Sequence, residues 1–342
     1  MAQIRDGAGR KVGGVVALTL DETAAKVPGS PVVGPMTKGR RRRAVSRHLR
    51  TRWQLWLMVA PAVAVTLVFA YFPMYGIQLA FREFDFTAGL TGGEWVGMKY
   101  FNQFFTSPLF WDLMRNTVAI SLTTLVVGFI APIVLALAVN QVVGLRRKRF
   151  TQTATYLPHF ISIVVVVGML QVFLSPTTGV IPNFLSFFGV TDTNYLGDPD
   201  AFVPVYVISE VWQHCGWNSI IYLAALSSID THLYEAARVD GASRPQIIRH
   251  IDLPALIPTM VVLFILNMGG VLNAGFEKVF LMQNPLNLSA SEVISTYAYK
   301  IGILQSQFSY ATAIGLFNTV INFAFLVLTN QLAKKFANTS LW

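Results

Sequence analysis

The chain has 342 residues, 54% hydrophobic and 13% charged, with a mean hydropathy of +0.52. Soluble domains carry about 25% charged residues, so this composition excludes a disordered chain and an ordinary soluble enzyme; a bilayer, itself an apolar solvent, accommodates the apolar surface that water does not. The net charge of +9 lies in residues 1–52, with 12 Lys/Arg against 3 acids, whereas residues 53–342 balance 14 against 14. The basicity thus belongs to a tail, which suits a cytoplasmic segment facing anionic lipid and not a folded nucleic-acid-binding face.

In chain order, residues 1–39 hold seven glycines and three prolines and read as disordered. They are not a signal peptide, because Val15–Leu20 is too short an apolar core and Asp21 and Glu22 follow at once. The expected domain order is a disordered basic tail over 1–52, a membrane domain over 53–335 and a short C-terminus over 336–342. Long uncharged stretches then recur: 53–81, 116–145 and 150–191, then 201–229 with Glu210 as its one charge, 253–276 and 301–333. A spanning helix needs about 20 largely apolar residues. Six spans are expected, near 54–74, 117–140, 156–175, 203–226, 254–275 and 310–332. Continuous apolar runs such as Ile163–Leu170 exclude the alternating strands of a transmembrane barrel, so the fold class is all-α and polytopic.

With the N-terminus inside, 21 of the 26 Lys/Arg fall in inside segments, and Arg146, Arg147, Lys148 and Arg149 form the strongest internal stop. The positive-inside rule therefore places both termini in the cytoplasm of a cell-membrane protein. The outer loop 75–115 is rich in aromatic residues, including Phe84, Phe86, Trp95, Phe101, Phe104 and Trp111. Part of it is expected along the outer interface, where such rings prefer to sit. The single cysteine, Cys215, allows no intramolecular disulfide and reads as a small buried hydrophobe.

One inside loop, 227–253, is more than a connector. Asp230 or Thr231 can cap a short helix, Gly241 can end it in the left-handed conformation, and Pro245 and Pro254 can start further helical segments. The bent element would present Leu233, Ala236, Ala237 and Val239. On physical grounds it suits either a protein dock or an interfacial helix resting on lipid headgroups.

The spacing Glu235-Ala236-Ala237, three residues, Gly241, nine residues, Ile251, one residue, Leu253-Pro254 resembles the E-A-A motif of ATP-binding-cassette importer permeases, and it falls in the loop before the penultimate span. Leu157–Ser162, Gly216–Leu226, Phe276–Val279 and Phe308–Gly315 resemble the carbohydrate-uptake branch, in particular its polysaccharide, aldouronate or alginate permeases. The resemblance covers about 53–335 and implies a type I importer transmembrane-domain fold, forming half of a heterodimeric pore with a second permease subunit. It further implies a coupling loop, 228–254, seated on a cytoplasmic ATPase dimer that uses ATP and magnesium, and an extracellular solute-binding protein that delivers an oligosaccharide. The coupling residues it implies are Glu235, Ala236, Ala237, Asp240, Gly241, Ile251, Leu253 and Pro254. Glu235 suits charge-assisted hydrogen bonds, the alanines close approach, and Gly241 a sharp turn.

Glu210, His214 and Asn218 recur at i, i+4 and i+8 and share one helix face, with Trp217 beside it and Tyr222 one turn on. With Asn267 in the fifth span, they are the candidate sugar path, since hydroxyls need polar partners and rings need an aromatic surface. Polar residues in spans also join helices at about 0.6 kcal/mol per interaction, the role assigned to Asn318, Asn322 and Asn330. The sequence leaves neutral and acidic sugars open; the few basic residues in the outer part favour a neutral one. No G-x-x-x-x-G-K-[ST], H-E-x-x-H or G-x-S-x-G occurs, so no catalytic residue, metal site or cofactor is expected. The rival reading is an ion-gradient-driven transporter using Glu210 and His214 as a proton relay.

Overall fold

The computed structural model describes residues 53–337 except 88, 90, 91, 190–193 and 274. The tail expected to be disordered and most of the expected C-terminal segment lie outside the described residues. The chain divides at Ala70 into two units. In the first, α1 (Trp53–Thr66) contains Pro61, continues into a π turn at Leu67–Tyr71, and buries no residue. Its apolar residues are exposed around the whole circumference, from Trp53, Trp56 and Leu57 to Val65 and Phe69.

The second unit opens with a 3-10 turn at Phe72–Phe81 and two isolated bridges, Arg82 with Trp95 and Asp85 with Gly89. Among the described residues there is no β-strand. Helices α2 (Lys99–Phe105) and α3 (Phe110–Asn140) follow, then α4 (Leu145–Tyr156), α5 (Ile163–Phe173), α6 (Val180–Ser186) and α7 (Pro199–Ser227). Three helices come next: α8 (Thr231–Val239), α9 (Arg244–Ile247) and α10 (Leu253–Met268). The chain closes with α11 (Phe276–Met282), α12 (Leu288–Ser291), α13 (Ile294–Tyr299) and α14 (Phe308–Ala337).

Helices α3 and α7 form the axis of this unit. Toward one end Ile120 meets Phe202, Tyr206 and Val207; toward the other Ile133 and Ala136 meet Tyr222, Leu226 and Leu256 of α10. On α3 the stripe Leu122, Val126, Ile130 and Val134 stays 48–57% exposed. Its four-residue spacing sets it on one face of the helix, and an exposed apolar face of this kind suits lipid or a partner subunit and not water.

Four of the expected spans appear as long apolar helices, over Trp53–Phe81, Phe110–Asn140, Arg244–Met268 and Phe308–Lys335. The third is not straight: Leu145–Phe160 and Ile163–Phe173 meet at 97°. Pro158 opens a 3-10 turn, Ile161 is extended, and Ser162 restarts the helix by accepting the Val165 N–H. Gln213 Nε2 donates to the freed Ile161 carbonyl at 2.8 Å, which satisfies it at the break. The fourth, α7, has 29 residues, long enough to cross, and is more polar than the others because Glu210, Gln213, His214 and Asn218 lie along it. Gly216 lets α7 press against α4, because a Cβ there would collide with the Thr155 carbonyl.

Part of the aromatic loop expected at the interface is core instead. Phe101 and Phe104 sit three apart on α2 and are buried, Phe104 stacking edge-on against Phe317 of α14 at 5.4 Å. Phe86, Trp95 and Trp111 stay exposed.

Candidate functional site

The loop bearing the E-A-A residues folds as a capped helix. The Asp230 carboxylate accepts the His232 N–H at 2.9 Å and starts α8. Gly241 ends it at φ 77°, its N–H donating to the Arg238 carbonyl at 3.1 Å while the Ala242 N–H donates to Ala237 at 2.8 Å. These two bonds are the Schellman pair. No neighbouring atom lies within 4 Å of a Cβ built at Gly241, so the backbone angle and not space requires glycine. The Gln246 side chain accepts the Ser243 N–H at 2.7 Å and starts α9, which runs through a π turn at Ile248–Asp252 into α10.

No residue of α8 is buried. Glu235, Ala236 and Asp240 are exposed and Ala237 is half-buried, beside exposed Leu233 and Val239. Glu235 Oε2 lies 3.4 Å from His232 Nδ1. Ile251 is half-buried, and Leu253 and Pro254 are exposed at the foot of α10. Between them Asp252 is fully buried and accepts from the Tyr234 hydroxyl at 2.6 Å and from Gln141 Nε2 at 3.1 Å. Partial burial and the bond to Asp252 push the Tyr234 phenol up to about 12, so it is a neutral donor through the physiological range. The sequence pointed to the exposed residues of this loop but not to Asp252, whose partners lie 18 and 111 residues away.

The polar residues of α7 open onto a cavity of about 350 Å³ between α3, α7 and the end of α10. Glu210, His214, Asn218 and Asn267 all line it, with Ser121 and Thr124 from α3, Tyr206, Cys215 and Asn273. A smaller cavity of about 90 Å³ shares Asn218 and Asn267 and adds Tyr222. Trp217 lines neither: its ring stacks on His159 at 4.6 Å and 9°. His159 and His214, far apart in sequence, have ring centroids 5.3 Å apart. Among the described residues no three His, Cys, Asp or Glu side chains are grouped to hold a metal ion.

The charge on Glu210 is balanced from α11. Lys278 is buried, and its Nζ lies 2.9 Å from Glu210 Oε2. Glu210 Oε1 lies 3.6 Å from His214 Nε2. A buried ammonium is costly unless paired, and Glu210 is the partner that makes the position tenable. At the cavity rim Asn273 Oδ1 accepts from Asn318 at 3.0 Å and Asn322 at 3.1 Å, and Asn322 also accepts the Leu272 N–H. Asn318 and Asn322 thus join α14 to the frayed end of α10; Asn330 is buried.

Residues 128–338 match the family described as binding-protein-dependent transport system inner membrane component. The chain belongs to this family. It is 40% identical over 89% of its length, and 95% of the relative's, to the polygalacturonan/rhamnogalacturonan transport system permease protein YteP of Bacillus subtilis (strain 168). It is also 40% identical to protein LplB of the same organism, over 94% of this chain and all of that one. A solved structure of a bacterial ABC transporter involved in the import of the acidic polysaccharide alginate superposes at TM-score 0.80 and 38% identity, over 86% of this chain and 99% of that one. The same match is found to that transporter in complex with an alginate pentasaccharide-bound periplasmic protein. The chain is therefore a multi-pass ABC-importer permease subunit with the type I fold, and the gradient-driven alternative built on Glu210 and His214 falls.

Proposed function

We propose that this permease forms half of a pore that carries an oligosaccharide, released from an acidic polysaccharide, from an extracellular binding protein into the cytoplasm. The second half is another permease subunit, and a cytoplasmic ATPase dimer supplies the energy from ATP and magnesium, neither of which this chain binds. The observation that carries the reading is α8: a capped helix with no buried residue, presenting Glu235, Ala236 and Val239 at the foot of α10. In this reading the loop 228–254 is the ATPase dock, with Glu235 reaching partner donors and Ala236 and Ala237 allowing close approach. Asp240 and Gly241 turn the chain, and Ile251, Leu253 and Pro254 root the dock in α10. Both termini lie in the cytoplasm, as the Lys/Arg distribution favours. The membrane domain occupies 53–335, behind the basic tail 1–52.

The sugar path runs past Glu210, His214, Asn218 and Asn267, with Tyr222 deeper along the same face; Trp217 braces the α4–α5 break through its stack on His159. The acidic class rests on the relatives, and it replaces the preference for a neutral sugar drawn from scarce outer cations. Lys99, Arg115, Lys278 and Lys300 each sit in an ion pair with an acid of this chain, and in this reading the binding protein recognises the sugar carboxylates. The test is uptake by a strain lacking this gene, offered galacturonate, alginate and neutral oligosaccharides of equal length. The reading expects loss of an acidic oligosaccharide alone; loss of neutral uptake alone, or of none, contradicts it.

A further inference from the structure

Helix α8 is held to the rest of the molecule by very little. None of its residues is buried. The remaining polar contacts, Asp230 with His232 and His232 with Glu235, stay within the helix and its cap. Among the described residues, Tyr234 is the residue of α8 whose side chain hydrogen-bonds to another element, and it does so at Asp252. Asp252 is fully buried and, among the described residues, pairs with no cation. Its second oxygen is held by Gln141, the residue that closes α3, and the Asn140 amide bears on the same Tyr234 phenol. One carboxylate therefore ties three elements: the E-A-A helix, the foot of α10 and the end of α3.

That placement matters for how a force on α8 travels. The backbone route from α8 to α10 passes through the non-helical residues 240–243, with Gly241 at positive φ, a joint that bends more easily than helix. From α3 the motion would reach the cavity directly, since α3 packs along α7 and both line it. A buried carboxylate satisfied by two neutral donors is costly relative to an apolar residue, and it specifies one geometry because few other arrangements satisfy it.

We infer that Asp252 is the positioning residue through which displacement of α8 by its ATPase partner is passed to α10 and α3, the Tyr234–Asp252–Gln141 bonds acting as a rigid strut across the flexible joint. The inference rests on the reading of α8 as the ATPase dock. Asp252 itself touches neither nucleotide nor sugar.

The chain carries its own reporter, because its one cysteine, Cys215, lines the cavity. The experiment uses the whole transporter in proteoliposomes, with Mg-ATP and vanadate, and follows labelling of this subunit by a water-soluble maleimide as a mass shift. In the wild type, trapping changes the labelling rate of Cys215. In Asp252→Leu, ATP hydrolysis continues and the trapping-dependent change shrinks about tenfold, the scale set by losing a hydrogen bond to a charged group. Asp252→Asn, which still accepts from Tyr234 and can reorient its amide toward Gln141, keeps the change. A protein in which Asp252 only stabilised the fold would lose assembly and hydrolysis together. If Asp252→Leu does not accumulate, Tyr234→Phe, which removes one hydroxyl, takes its place with the same expected decoupling. Wild-type behaviour in the variant, or a wild type whose Cys215 ignores trapping, overturns the inference. Failure of the dock reading has a separate signature: Ala237→Arg would leave the ATPase bound and trapped as in the wild type.

Discussion

Replacing Lys278 by Met removes the cation that faces Glu210 across 2.9 Å and leaves a carboxylate without its strongest partner. Breaking a buried pair from one side costs about 3–5 kcal/mol, whereas replacing both partners by groups of similar size is often neutral. The Glu210 side chain keeps 24% of its surface exposed and has His214 at 3.6 Å, so the lower end, about 3 kcal/mol, applies. At about 2–4 °C per kcal/mol this lowers the melting temperature of the solubilised subunit by about 6–12 °C. The assay is thermal denaturation of Lys278→Met, Glu210→Gln and the double variant in one detergent. The double variant should recover most of the loss, with a coupling energy of about 2 kcal/mol or more. A coupling below about 0.5 kcal/mol would show that the two charges do not sense each other, and the charge-balanced cavity would have to be abandoned.

Other substitutions probe separate features. Gly216→Leu drives a side chain into the Thr155 carbonyl, and overpacking of about 1–3 kcal/mol or more should appear as loss of monodisperse protein on size exclusion, with Ala milder than Leu. At Gly241, with φ 77°, Asn should be tolerated and Val should cost about 1–2 kcal/mol and most uptake, while both variants insert normally. Asn273→Ala leaves Asn318 and Asn322 without their shared acceptor; at about 0.6 kcal/mol per interhelical bond the stability loss should stay near 1 kcal/mol by denaturant titration. Deleting residues 1–39 should leave uptake and membrane level unchanged, and lost uptake at normal level would give the tail a specific role.

The membrane class and most spans were legible because charge is nearly absent from them: 30 uncharged residues between Arg115 and Arg146 leave α3 little alternative. The face of Glu210, His214 and Asn218 was legible from the helical period alone, and the cavity lies along it. The break in the third span was not, because Phe160 and Ile161 continue without a charge into the apolar run Ile163–Phe173; Pro158 and Ser162 were its local marks. That His159, 58 positions away, stacks on Trp217 was not legible, because no local pattern encodes that contact. The Lys278–Glu210 pair was not legible for the same reason: its partners are 68 residues apart. Motif spacing exposed the residues that α8 presents, whereas Asp252, which holds α8 in place, is set by side-chain contacts that no local pattern encodes.

The central claim is that α8 is where the ATPase engages this permease. It is tested most directly by affinity purification of the tagged subunit from native membranes, with wild type and Gly241→Val side by side and the captured chains identified by mass spectrometry. The account predicts that the wild type brings down an ATP-binding-cassette ATPase and a second permease, and that the variant keeps the permease and loses the ATPase. Equal recovery of the ATPase by both would contradict it and move the dock to another surface of the chain.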